Sequence, residues 1–238
     1  MQGLDSLAER LRGYYILGAR FTKWRAPFTI DAETGRPTAI AIEANMRDLA
    51  RVALISQAEG MVPIVEPDVV MQGTHDLPTA VAINTQIHAT LYKAMLDHGV
   101  YMEGCILKTN MVTPGLSYPV SYTKQDIAAA CLTVLKRTMP VSIRSCNYLS
   151  GGQALHVACA RLGAIQALKG NCPWNISFSW SAALQLPLLD LCKGTTLQDA
   201  LPSMASLYLE ELQLACAASK GIIPADFEES IGGHEPKN

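Results

Sequence analysis

The chain is poor in charge, poor in aromatic residues and lacks any long apolar run. Charged residues make up 17% and aromatic residues 6% of its 238 residues, and 19 basic against 21 acidic side chains leave a net charge of −2. Such a balance offers no basic field to hold a nucleic acid backbone, and no aromatic-plus-basic repeat offers a platform for stacked bases. Apolar-rich stretches such as Met61–Val65 and Leu184–Leu191 fall far short of the roughly 20 residues a membrane span requires. A protein that partners neither nucleic acid nor membrane is expected. The N-terminus, Met1-Gln2-Gly3-Leu4-Asp5, has neither a basic stretch followed by an apolar core nor an Arg/Ser-rich leader, so a cytoplasmic location is expected.

Metal and disulfide signatures are missing too. The seven cysteines, at 105, 131, 146, 159, 172, 192 and 216, include no C-x-x-C pair, which speaks against a zinc site and against a disulfide framework. Their odd number and scatter suit a reducing compartment. His75, His88, His98, His156 and His234 form no H-x-x-x-H cluster, so no protein-bound metal is expected.

What is abundant is apolar residues, 49% of the chain, enough for a sizeable core and for some contact with a second copy of the chain. They are arranged as short apolar runs ending in polar residues, each followed by a longer segment of helical periodicity. That is the pattern of βα units around a parallel sheet. Strands are predicted at 19–25, 61–66, 103–108, 146–150 and 176–179, and helices at 42–59, 77–98, 124–139, 153–168 and 201–219. Met46, Leu49, Ala50, Ala53 and Leu54 illustrate the three- and four-residue spacing that buries one side of a helix. One body over residues 1–220 is expected, followed by a flexible polar tail at 221–238 that ends in Gly232-Gly233-His234-Glu235-Pro236-Lys237-Asn238.

The polar residues closing the first four predicted strands are Lys23, Glu66, Lys108 and Ser150, at intervals of 43, 42 and 42 positions by subtraction. A strand, a crossover helix and two loops fit in about 40 residues, so a near-constant interval places these side chains at the C-terminal edge of one parallel sheet. Two lysines and a glutamate there share a cleft in which burial and proximity shift ionisation.

At these positions the sequence resembles the class I fructose-bisphosphate aldolases. The resemblance rests on Gln2-Gly3-Leu4-Asp5, Ala8-Glu9-Arg10, Phe21-Thr22-Lys23-Trp24-Arg25, Val62-Pro63-Ile64-Val65-Glu66-Pro67 with Asp68, and Gly73-Thr74-His75-Asp76. Further along it takes in Leu107-Lys108-Thr109-Asn110-Met111-Val112-Thr113-Pro114-Gly115, Leu149-Ser150-Gly151-Gly152-Gln153 and Phe178-Ser179. It implies a lyase with a (βα)₈ TIM-barrel fold, of which this chain carries about five βα units and a C-terminal helix. The implied reaction is the glycolytic, reversible cleavage of fructose 1,6-bisphosphate to dihydroxyacetone phosphate and glyceraldehyde 3-phosphate, with no cofactor beyond a covalent Schiff base on a lysine. Lys108 is then the nucleophile, Glu66 the general acid and base, and Lys23 the neighbouring cation that favours the neutral amine of Lys108. Arg25 and Asp68 orient substrate, and Ser150, Gly151 and Gly152, with Ser179, belong to its phosphate-binding surface. A phosphorylated sugar and other copies of the chain are the implied partners.

The family pattern is broken in places. Ala182 stands where the family has an arginine of its phosphate sites, Asp68 where it usually has glutamate, Thr109 where it has proline, and Ala154-Leu155-His156-Val157-Ala158-Cys159 where it has an acidic run. Loss of a clamping arginine is expected to weaken phosphate binding by tens of fold. Three family strands that precede Gln2-Gly3-Leu4-Asp5 and the family's C-terminal tyrosine have no counterpart, so activity is expected to be reduced or lost. Two other readings follow from the same breaks: a catalytically silent aldolase-like binding or assembly protein, and a lysine-dependent aldolase for a substrate with fewer phosphates. A metal-dependent aldolase is disfavoured by the absence of a histidine cluster.

Overall fold

The computed structural model describes residues 2–222. Five parallel strands, β1 Phe21–Phe28, β2 Val62–Val69, β3 Ile106–Thr109, β4 Ser145–Tyr148 and β5 Asn175–Phe178, lie in sequence order across one sheet. Helices α2 Ala39–Ala58, α3 Leu77–Asp97, α4 Lys124–Thr138 and α5 Leu155–Leu168 connect them in turn. This is the α/β arrangement of a TIM-type barrel wall, in which each crossover helix packs back on the sheet. The predicted tail lies outside the described residues apart from Gly221 and Ile222.

Alternation along the strands separates two faces. Leu107 and Thr109 of β3, with Cys146 and Tyr148 of β4, are buried, and α3 and α4 pack behind them. Met46, Leu49, Ala50 and Ala53 of α2 are wholly buried in the same core. A buried hydroxyl pair, Thr22 Oγ1 to Ser56 Oγ at 2.8 Å, ties β1 to α2. The opposite, inner face carries Lys23, Arg25, Glu66, Asp68, Lys108 and Asn147, and it is this face that forms the site.

Helix starts follow their caps. Thr38, Asp76 and Thr123 accept hydrogen bonds from the backbone N–H three residues on, and Thr123 with Asp126 makes a reciprocal capping box. The strand predicted from Glu103 begins instead at Ile106, because Met102–Gly104 folds into a single 3₁₀ turn closed by the Gly104 and Cys105 N–H groups. Gln57 holds that turn from below, donating to the Tyr101 carbonyl at 2.7 Å and accepting from the Tyr101 N–H at 3.0 Å.

Lys23 and Glu66 do not close their strands. Each lies mid-strand, with β1 running on to Phe28 and β2 to Val69. Both extensions contain proline, which lacks the backbone donor a ladder uses. Within the described sheet Pro27 sits on an edge strand, where the lost donor is tolerated, and the β2–β3 pairing covers only Ile64 and Val65, between Pro63 and Pro67. Two helices were not anticipated: α1, Leu7–Ile16, and α6, Ala182–Asp190, which contains Pro187. The last, α7, spans Leu197–Ser219 and starts four residues before its predicted beginning. Thr196 caps that start, and Pro202 removes one internal donor without breaking the helix.

Candidate active site

Register decides what meets what. Arg25 lies opposite Glu66, Lys108 opposite Asn147, and Asn147 opposite Ser177. The β2–β3 register places Glu66 opposite Lys108, one step past the last paired residues. One row across the inner face thus reads Arg25, Glu66, Lys108, Asn147, Ser177.

Glu66 is the hinge of this row. Its side chain is 4% exposed, with one oxygen 3.7 Å from Lys108 Nζ and the other 3.2 Å from Lys23 Nζ. The first distance is an ion pair too long for a hydrogen bond. The second is close enough, but Oε2 has no aligned donor, so a buried carboxylate keeps hydrogen-bonding capacity in reserve. Lys23 reaches this oxygen from two residues down its strand, which its long side chain allows.

Burial lowers the pKa of the Lys108 ammonium, Glu66 pulls it back up, and Lys23 pushes it down again. Desolvation is the largest of these influences. A lysine of lowered pKa exposes more neutral amine at a given pH, which is what addition to a carbonyl requires.

Arg25 and Asp68 form a second ion pair two residues along. Arg25 Nε donates to Asp68 Oδ2 at 2.7 Å, and the Asp68 side chain is 5% exposed while that of Arg25 is 46% exposed. Arg25→Met leaves a buried carboxylate without its cation. We expect a loss of about 2–3 kcal/mol, below that of a fully buried pair because the guanidinium is half in water. Arg25→Met with Asp68→Asn should recover most of it, and urea unfolding of the three proteins checks this.

The turn after β4 is built by glycine. Gly151 and Gly152 have φ of 61° and 86°, where only glycine is free of strain. The Ser150 carbonyl accepts from both the backbone N–H of Gln153 at 3.0 Å and its Nε2 at 2.8 Å. Helix α5 follows with no side-chain cap on its N-terminus, and the positive end of a helix dipole favours an anion. Gly151 and Gln153 share a cleft of about 130 Å³ with Arg25, Asp68 and Asn110. The structure therefore joins Lys23, Glu66 and Lys108 in one contact group, and Arg25, Asp68 and Gly151 in a cleft beside it. Ser150 is buried, and Ser179 lies just past β5, its N–H bonded to the Tyr148 carbonyl at 2.9 Å. No direct contact ties Ser179 to Lys108.

Sequence reasoning missed Asn147 and Ser177, which sit in the row of Lys108. Alternation was the available signal: in Ser145-Cys146-Asn147-Tyr148 the two apolar-facing residues bracket Asn147. It also missed Asn110, whose Oδ1 accepts the Val69 N–H at 2.9 Å and joins the ends of β2 and β3. Among the described residues no group of three or more His, Cys, Asp or Glu side chains could hold a metal.

A partly buried lysine whose charged form burial disfavours, set against a carboxylate on a parallel α/β barrel wall, is an arrangement able to present a neutral amine. Comparison with known proteins sets it within a family. The glycolytic class-I fructose-bisphosphate aldolase family model matches residues 1–233. Human fructose-bisphosphate aldolase C is 44% identical over 193 residues, 81% of this chain and 52% of the relative. The pea cytoplasmic isozyme 2 of fructose-bisphosphate aldolase is 44% identical over 214 residues, 88% of this chain and 59% of that protein. A solved structure of the Plasmodium falciparum enzyme, in complex with TRAP and a small-molecule inhibitor, superposes with a TM-score of 0.91 at 36% identity, covering 94% of this chain and 64% of that one.

The chain belongs to the class-I fructose-bisphosphate aldolase family, a family of lyases that use a lysine Schiff base and no metal. It spans about half the length of the animal relatives it matches. Among the described residues no helix is long and apolar enough to cross a membrane.

Proposed function

We propose that this chain carries the Schiff-base machinery for reversible cleavage of fructose 1,6-bisphosphate into dihydroxyacetone phosphate and glyceraldehyde 3-phosphate. The observation that carries the reading is the placement of Lys108, largely buried, 3.7 Å from a Glu66 carboxylate that also meets Lys23. The neutral Lys108 amine adds to the C2 ketone, and loss of water leaves an iminium. Glu66 takes the C4 hydroxyl proton as the C3–C4 bond breaks, and the iminium accepts that electron pair as an enamine. The aldehyde leaves. Reprotonation at C3 by Glu66 and hydrolysis then release dihydroxyacetone phosphate and restore the amine.

In this reading Lys23 disfavours the Lys108 ammonium, Arg25 and Asp68 orient the sugar, and Ser150, Gly151, Gly152 and Ser179 border its phosphate. Exposed Leu186, Leu189, Leu201 and Leu209 on α6 and α7 support assembly with other copies of the chain. The name of the pea relative supports a cytoplasmic location.

Borohydride reduction with dihydroxyacetone phosphate, followed by peptide mass spectrometry, tests the proposal. A stable adduct on Lys108 is expected, lost in Lys108→Met. A folded protein with no adduct sinks the reading. It would favour a catalytically silent binding protein, for which the support is Ala182, the first residue of α6, in place of an arginine.

A further inference from the structure

Arg161 of α5 is 6% exposed and faces a cavity of about 240 Å³ between the loop after β3 and the start of α4. One nitrogen, Nη1, donates to Gln153 Oε1 at 2.5 Å, while the buried Nε has no acceptor. Gln153 is neutral, so the hydrogen bond leaves the positive charge uncompensated. No carboxylate among the described residues pairs with the guanidinium. The ionisable group acting on it is the thiol of Cys131, itself pushed up to about 12 by burial and therefore protonated.

An arginine held in this way is costly: a buried charge without a counterion forfeits its hydration, and one hydrogen bond to a neutral amide returns only part of it. The same cavity is lined by Tyr118, Ser121 and Tyr122, hydroxyl residues able to donate to an oxyanion, the two tyrosines stacked with ring centroids 6.2 Å apart. Its volume is several times the roughly 30 Å³ share of one water molecule. We propose that Arg161 and these hydroxyls form a binding site for a phosphate-type oxyanion, separate from the lysine cluster on the inner face. Charge neutralisation and planar, forked donation both suit such a ligand. Free phosphate and a phosphomonoester share the recognised chemistry.

The test titrates inorganic phosphate, and separately glycerol phosphate, into the unaltered protein, Arg161→Met and Arg161→Lys at constant ionic strength, reading heat and melting temperature. At least a tenfold loss of affinity is expected in R161M, with a smaller loss in R161K. Tighter binding of glycerol phosphate would assign the site to phosphomonoesters. An unchanged titration in R161M overturns the proposal. Selenate soaked into crystals of the unaltered protein gives a second readout: an anomalous peak beside Arg161 supports the site. A peak only at the Ser150–Gly152 turn, or none, refutes it.

Discussion

Gly115→Ala is expected to destabilise the protein by about 3–5 kcal/mol and to remove the Lys108 adduct at temperatures where the unaltered protein is still labelled. A methyl group on Gly115 would lie 2.2 Å from the Gly73 carbonyl oxygen and 2.4 Å from its carbon, and both are backbone atoms that no rotamer change can move. The glycine is needed because two loops cross there. The Gly115 N–H donates to the His75 carbonyl at 2.8 Å, Leu116 to Met71 at 2.8 Å and Ser117 to Gly73 at 3.0 Å. Relief of the clash must break these bonds, each worth about 1 kcal/mol.

The crossing joins the loop that follows Asp68 to the loop that follows Lys108. Separating the loops therefore shifts one side of the site against the other, and a displacement of about 1 Å can cost on the order of a hundredfold in rate. Gly152→Ala is the control. Nothing lies within 4 Å of the added carbon, so only its φ of +86° opposes the change, at about 1–2 kcal/mol. Equal losses in the two variants, measured by urea denaturation, would contradict this account.

Acidification from pH 6.5 to 4 is expected to remove about 3 kcal/mol of stability through His88 alone. This histidine is 1% exposed, and burial brings its pKa from 6.5 down to about 4. Between those values the unfolded chain binds the proton and the native protein does not, so stability falls as pH falls through the window and is full above it. Nothing nearby compensates a charged ring. Nε2 lies 3.1 Å from Thr109 Oγ1, Nδ1 has no partner, and the edge-on neighbour is the Tyr92 ring at 6.1 Å. His88→Gln keeps a partner for Thr109 but cannot titrate, and should flatten most of the pH slope of the unfolding free energy. A residual slope of the same sign is expected from His75, whose pKa burial also lowers. Thr109 adjoins Lys108, so the acid-sensitive contact sits directly behind the proposed nucleophile.

Much of the architecture was legible in sequence because it is periodic. Helices α2, α3, α4 and α5 fall within three residues of their predicted bounds: α2, α3 and α4 join an apolar face to a side-chain N-cap, and α5 is an apolar run set off by Gly151-Gly152 before it and Gly170 after it. Short elements were harder. The α1 and α6 helices bury few residues and lack a side-chain cap, which leaves little pattern to detect. Strands β1 and β2 run past their predicted ends through Pro27 and Pro67, because a missing donor is harmless where no neighbour needs it, and neighbours are a property of the sheet.

The sequence by itself determined a parallel α/β chain of the class-I aldolase family and the near-constant interval linking Lys23, Glu66 and Lys108. Local propensity and crossover length suffice for the α/β pattern and the interval, since both act within about 40 residues, while the family is carried by motifs such as Phe21-Thr22-Lys23-Trp24-Arg25 and Leu149-Ser150-Gly151-Gly152-Gln153. Only the tertiary structure decided that one Glu66 oxygen meets Lys108 and the other Lys23, that Asn147 shares the row of Lys108, and that Arg161 is buried without a counterion. These depend on strand register, on side-chain reach across strands and on what packs against a helix from outside it. Such contacts join residues up to 43 positions apart, and no local pattern encodes them.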